Sequence, residues 1–256
     1  MAENKFIKIE NDGQIAKIIL DRPKHNVLDI PMMNELNAEL EKIAADSELK
    51  CVVLTGEGRS FCAGVEVGDH KPDQVDEMVA VFNRIFELIN MIDIPVIAAV
   101  NGACLGGGME VAIACDIVIA SEKAIFGQPE IKLGFFPPYA AIRLPELVGP
   151  AKAIEILTTG QNYSAQASKD LGFVSQIASV DDFEELVQKQ VKQITMASPL
   201  IIRLNKRAVK RHIGTSFAQG VDLVSDYFLN TLMKTEDTLE GIASFEEKRR
   251  AAWKNR

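Results

Sequence analysis

Three short segments of this chain are apolar from end to end: residues 51–54 (CVVL), 95–100 (PVIAAV) and 117–120 (IVIA). Runs this short and this apolar fit strands buried on both faces, as a parallel sheet covered by helices requires. Between them the periodicity becomes helical. Asp29 can cap a helix with Pro31 in its first turn, followed by Leu36, Leu40 and Ile43. Met78, Phe82, Ile85, Ile89 and Ile92 form a second apolar helical face. The alternation predicts an α/β core with largely parallel pairing. Ahead of it, residues 6–10 and 15–20 flank Asp12-Gly13 and read as a β-hairpin.

From Pro138 onward the pattern is mostly helical. Ser164 can cap a helix that stops at Gly172, and Phe183, Val187, Val191 and Ile194 form one stripe. Pro199 starts a further helix, and Ser216 with Gln219 has capping-box spacing. A composition shift near Ser198 divides the chain into a core, residues 1–198, and a helical region, residues 199–256, that need not fold alone. No internal repeat is visible.

Composition narrows the function classes. A chain of 256 residues can bury a large core, and 47% apolar with 25% charged residues is ordinary for a globular protein. A net charge of −8 argues against neutralising phosphates, so nucleic-acid binding is not expected. The N-terminal residues 1–5 lack the apolar region of a signal peptide, and the most apolar stretch, 94–100, is too short to span a bilayer. Cys51, Cys62, Cys104 and Cys115 form no C-x-x-C pair and read as buried hydrophobes. No metal or redox cofactor is implied, and a reducing cytoplasm is the expected location. His25, His70 and His212 show no ligand spacing and read as structural or solvated. Lys206, Arg207, Lys210 and Arg211 form a basic helical cluster, read as a solvated face or subunit contact, with RNA binding as the alternative.

The most informative segment is residues 98–110, AAVNGACLGGGME. A strand runs into three consecutive glycines and then a helix. Glycines let a backbone approach a ligand, and a helix start offers unpaired N–H groups, which suits a developing oxyanion. The spacing fails both the phosphate-loop and the dinucleotide patterns, because Gly108 and Met109 follow Gly107 and Val111 stands at the last fingerprint position. The alternative is close helix–strand packing. Glu110 falls three residues after Gly107, on the same side of the first turn, and is followed by an apolar run that makes burial plausible. Glu130 follows Pro129 in a loop flanked by apolar residues, and residues 60–66 form a Gly turn after a strand.

In order and spacing, these segments resemble the crotonase (enoyl-CoA hydratase/isomerase) family over nearly the whole chain. The resemblance is carried by residues 20–28 (LDRPKHNVL), 60–65 (SFCAGV), 101–110 (NGACLGGGME), 126–134 (FGQPEIKLG) and 244–250 (SFEEKRR). It implies a crotonase-like ββα spiral core with a helical C-terminal subdomain for oligomerisation and coenzyme A capping. It implies that the N–H groups of Val65 and Gly107 hold a thioester oxygen, with Glu110 and Glu130 as the paired acid and base. Retention of both glutamates favours hydration; isomerisation and thioester hydrolysis on the same scaffold are the alternatives. Coenzyme A, as part of the substrate, is expected at Lys24, Val27, Ala63, Val67, Phe245 and Lys248. Trimers, often paired into hexamers, are implied, with C-terminal helices able to complete a neighbour's site. The chain departs from common short-chain hydratases at residues 135–144, FFPPYAAIRL. Two prolines and three aromatics there look like hydratases acting on cyclohexadiene-carbonyl-CoA, and imply an acyl pocket for a flat or cyclic group; packing at a helix start is the alternative.

Overall fold

In the computed structural model, residues 5–256 are described; residues 1–4, which include most of the N-terminal segment lacking an apolar leader pattern, lie outside the described residues. The hairpin forms as β1 (Ile7–Asn11) and β2 (Ile15–Leu20), antiparallel with Ile9 opposite Ile18. The three apolar runs become β3 (Cys51–Gly56), β5 (Val96–Val100) and β7 (Ile117–Ser121). Together with β10 (Gln176–Ala178) they build a six-stranded sheet, order β1-β2-β3-β5-β7-β10, parallel from β2 onward. Both faces are covered, which explains the lack of polar alternation. Val52, Leu54, Ala98 and Val100 join the main core with α1 (Ile30–Ala45) and α2 (Val75–Met91). Cys51, Val53, Ile97 and Ile119 point the other way, onto Val187 and Val191 of α7 (Phe183–Thr195). The expected caps are present: Asp29 Oδ1 accepts from Met32 N at 2.9 Å, and Ser216 with Gln219 forms a capping box.

Two elements differ from the sequence reading. The loop expected over residues 101–108 contains a strand, β6 (Ala103–Leu105), and the polar stretch before α2 contains a 3₁₀ turn, Val67–His70. The region beyond Pro138 is mostly helical, as read, with two short strands, β9 (Asn162–Ser164) and β10, set into it. With β4 (Ser60–Cys62) and β8 (Ile125–Gly127), β6 and β9 form a second, four-stranded sheet, order β4-β6-β8-β9. The chain therefore repeats one unit three times: long strand, three-residue strand, helix. The units are β3-β4-α2, β5-β6-α3 (Gly107–Ala114) and β7-β8-α4 (Pro138–Val148). No sequence repeat accompanies this structural one.

Helices α8 (Pro199–Arg211), α9 (Phe217–Asn230) and α10 (Glu236–Glu246) close the chain. Each residue of the basic cluster on α8 meets a partner of the chain, with Lys206 largely covered and Arg207 and Arg211 still exposed. Lys206 Nζ lies 2.5 Å from Asp116 Oδ2 and 2.8 Å from the Ile94 carbonyl, and Lys210 Nζ donates to Asn90 at 3.1 Å. Arg207 pairs with Asp93, and the Arg211 guanidinium sits 4.0 Å over the Tyr227 ring. Buried Asp237 accepts from Ser198 and from the backbone N–H groups of Lys254 and Asn255, tying the last residues to the start of α8. Among the described residues no helix is long and apolar enough to cross a membrane.

Replacing Lys206 by Ala should destabilise the fold by about 2 kcal/mol, because it removes a largely covered ammonium that pairs with Asp116, which also receives the Val96 N–H, and donates to the Ile94 carbonyl. Arg211→Ala, which loses only a cation–π contact, should cost less than about 1 kcal/mol. Urea denaturation of both variants tests this ranking; equal costs would refute it.

Candidate active site

The short strands β4, β6 and β8 are neighbours and run parallel, so the segments leaving their C-terminal ends arrive side by side. β4 delivers Gly64 and Val65, β6 delivers Gly106 and Gly107, and β8 delivers Gln128, Pro129 and Glu130. All of these except Gln128 line one cavity of about 360 Å³, a size that suits a small ligand. Its remaining wall is largely apolar, including Met78 and Phe82 of α2 and Leu133, Phe135 and Phe136.

Gly107 is the first residue of α3, so its N–H has no intrahelical acceptor. Among the described residues neither this N–H nor that of Val65 donates to a protein acceptor. The two residues are in close contact: a Cβ on Gly107 would fall 2.6 Å from Val65 Cγ2 and 3.0 Å from Phe82 Cζ. Gly106 turns the chain into the helix at φ +53°, and its open side faces Glu130, whose Oε1 would be 2.6 Å from an added Cβ. Gly108 serves the packing alternative, since a Cβ there would meet the Cys62 carbonyl at 2.2 Å. The glycine run thus presents amides at its start and packs α3 on β4 at its end.

Glu110 is 2% exposed. Its Oε1 accepts the Ala140 N–H at 2.9 Å, and the Tyr139 N–H also favours its charged form. These are free amides in the first turn of α4, whose own cap position is Pro137 and carries no side-chain cap. Glu110 therefore caps α4 from outside. Burial nevertheless prevails and raises its pKa to about 7, with the Glu130 carboxylate adding to the rise. Glu130, in the 3₁₀ turn Pro129–Leu133, is likewise pushed up to about 7 by burial. Its partner is the fully buried Gln128, whose amide nitrogen, turned toward the carboxylate, donates to both oxygens at 3.1 Å.

The loop before α1 is seated against the Val65 segment. Ala63 N donates to His25 O at 3.0 Å, Leu28 N to Gly64 O at 2.9 Å, and Glu66 N to Leu28 O at 2.8 Å. Buried Asn26 clamps the loop, its Nδ2 donating to the Ser60 carbonyl at 2.8 Å. This holds exposed Lys24 and half-buried Val27 beside Ala63, while Ala63 and Val67 themselves line the cavity. Phe245 and Lys248 are not brought there: they lie exposed on and just after α10, outside the cavity wall. The aromatic segment divides. Phe135, Phe136, Pro137 and Pro138 line the cavity, whereas Tyr139 stacks on Phe86 with centroids 3.9 Å apart and belongs to the packing of α4 on α2.

Sequence reasoning missed Gln128, the α4 amides and His70. Gln128 offered one signal, a polar residue at the exit of an apolar strand two positions before Glu130. His70 was read as structural or solvated; its ring is held by the Glu66 carbonyl and Phe135, and it also lines the cavity.

Comparison with known proteins places these features in context. The sequence matches the family described as enoyl-CoA hydratase/isomerase over residues 10–256. The short-chain-enoyl-CoA hydratase of Clostridium acetobutylicum is 33% identical over 255 residues, covering 97% of each chain. The cyclohexa-1,5-dienecarbonyl-CoA hydratase of Thauera aromatica is 33% identical over 248 residues, covering 97% of this chain and 96% of that one. Among solved structures, the enoyl-CoA hydratase from Bacillus anthracis superposes with a TM-score of 0.91 at 31% identity, covering 98% of this chain and 100% of that one.

The raised carboxyl pKa carries a stability signature. A proton held more tightly by the folded chain than by the unfolded one stabilises fully below the unfolded value of 4.5, and that contribution is lost as pH rises through about 7. Glu110→Gln, which keeps the acceptor for Ala140, should therefore gain stability relative to the native chain between pH 5 and pH 8, by up to about 3 kcal/mol. Thermal melts of both proteins at the two pH values measure this; an unchanged difference would mean that Glu110 is not protonated in the fold.

Proposed function

We propose that this chain, which belongs to the enoyl-CoA hydratase/isomerase family, adds water reversibly to the conjugated double bond of an enoyl- or dienoyl-CoA thioester. One observation carries the reading: two carboxyls of raised pKa and two unpaired main-chain N–H groups line the same cavity. The thioester oxygen lies between the Val65 and Gly107 amides, which withdraw electrons from the double bond. A preorganised donor of this kind is worth about 3 kcal/mol in the transition state. One glutamate takes a proton from the attacking water and the other gives a proton to the carbon that becomes saturated. Coenzyme A enters as part of the substrate, and water addition calls on no redox group.

Lys24, Val27, Ala63 and Val67 are the contacts for coenzyme A within the chain. Phe245, 85% exposed, and Lys248 are assigned to a neighbouring subunit's site in a trimer or a pair of trimers. The support is the apolar surface of α9, where Phe217, Val221 and Phe228 stand exposed along one side of the helix. The four buried, unpaired thiols accord with a cytoplasmic setting. For the acyl group, Phe135, Phe136 and the two prolines support a planar, cyclic dienoyl substrate such as cyclohexa-1,5-diene-1-carbonyl-CoA.

Glu110→Gln and Glu130→Gln should each lower the hydration rate by roughly 10² to 10⁴-fold while acyl-CoA binding changes little. Mass analysis of the product separates the alternatives: hydration adds one water, isomerisation leaves mass unchanged, and hydrolysis frees coenzyme A. Near-native rates in both variants would overturn the mechanism. Native protein assayed with cyclohexa-1,5-diene-1-carbonyl-CoA beside crotonyl-CoA should prefer the former; a strong preference for crotonyl-CoA would remove the cyclic assignment.

A further inference from the structure

We infer that His70 is a specificity-determining residue that receives a hydroxyl group carried on the acyl chain; the inference rests on the acyl-CoA reading above and names a feature of the acyl group. His70 ends the 3₁₀ turn Val67–His70, and this turn is anchored to the start of α1 by Asp69, whose Oδ2 accepts the Ile30 N–H at 3.0 Å. The ring itself is fixed twice. Its Nδ1 lies 3.0 Å from the Glu66 carbonyl, and its face stacks on Phe135 with centroids 4.8 Å apart and planes 24° off parallel. A carbonyl only accepts, so Nδ1 carries the hydrogen in that bond. In the neutral ring the lone pair is then on Nε2, for which no partner exists among the described residues.

The composition of the cavity gives this nitrogen its meaning. Four polar side chains line it: His70, Asn83, Glu110 and Glu130. The two glutamates are committed to the reaction, and Asn83 is an exposed residue of α2. His70 is half-buried and shares the wall with Leu133, Phe135 and Phe136; an apolar ring there would keep the stacking on Phe135 but lose the bond to the Glu66 carbonyl. A ring nitrogen left free on a residue of an apolar wall can distinguish ligands by a hydrogen bond, and a site of that kind discriminates against analogues that lack the partner. A hydroxyl meets either form of the ring, donating to a neutral Nε2 or accepting from a protonated one.

The test is calorimetric binding of hexanoyl-CoA and of its 4-, 5- and 6-hydroxy derivatives to the full native chain and to His70→Phe and His70→Gln. One of the three hydroxylated thioesters should bind the native chain about tenfold tighter than hexanoyl-CoA, the worth of one well-placed hydrogen bond. That advantage should fall to near unity in His70→Phe, which keeps an aromatic face for Phe135, and persist in part in His70→Gln. No advantage in the native chain, or an undiminished one in His70→Phe, overturns the inference, and the native-chain measurement alone can do so if the Phe variant fails to fold. Hydration of crotonyl-CoA and of cyclohexa-1,5-diene-1-carbonyl-CoA by the same preparation reports separately on the proposed reaction. A chain that shows the His70-dependent advantage but adds water to neither retains this inference and loses the hydratase reading; a chain that hydrates either one without any hydroxyl advantage loses this inference alone.

Discussion

The carboxylate of Glu110 set against the first amides of α4 is the contact on which the rest of the site depends. A buried carboxyl is costly, and a helix start with prolines at its cap and first position has N–H groups to satisfy. Each defect answers the other. The contact joins α3 to α4 and fixes where α4 begins, and with it the position of Phe135, Phe136, Pro137 and Pro138 in the cavity wall. The group proposed for proton transfer and the segment proposed to shape the acyl pocket are thereby one mechanical unit. A change in the length or rigidity of residues 135–138 acts on Glu110 as well as on the pocket.

The second constraint is the small sheet. Strands of three residues have little stability of their own, and β4, β6 and β8 each directly follow a long, doubly buried strand of the main sheet. Their parallel order brings the ends of β4, β6 and β8 together, and the tight approach of Gly107 to Val65 and of Gly108 to Cys62 leaves no space for side chains between them. The main-chain groups are thus positioned by hydrogen-bonded register, with no flexible side chain holding them. A cavity whose donors are backbone amides suits a reaction in which charge develops on one oxygen, since such donors need no reorganisation as the charge appears.

Much of this was legible in the sequence, and what was not has physical reasons. The long strands announced themselves because both faces are buried, and Asp29, Ser164 and Ser216 marked helix starts because a side-chain oxygen must satisfy free amides. The strands β6, β8 and β9 were illegible because three residues cannot display a two-residue period. The threefold repetition of strand, strand and helix was hidden for the same reason. Glu110, Glu130, Val65 and Gly107 were found through motif resemblance, and one cavity gathers all four. The α4 amides that hold Glu110 are main-chain groups thirty residues away and leave no mark on composition. Lys206 looked like surface charge because its partners, Asp116 and the Ile94 carbonyl, come from two loops about ninety or more residues earlier in the chain. Phe245 and Lys248 could not be placed from one chain, since the surface they serve in the proposed assembly belongs to a second copy.

Under the proposed reaction the pair of glutamates must hold one proton, so that one member gives while the other takes. Two isolated surface carboxyls near pH 7 would both be ionised. Burial raises each toward neutrality, and the Glu130 charge adds to the rise at Glu110, so near pH 7 a state with one proton on the pair is accessible. Their hydrogen-bond partners differ: Glu110 is held by helix-start amides, whereas Glu130 is held by the amide of Gln128. The first set of partners is main chain and the second is a side chain that is itself fully buried, so neither carboxyl depends on a solvent-exposed group for its position. Main-chain amides for the oxyanion and two carboxyls held by buried partners leave the heavy atoms of the site little need to move between substrate and product.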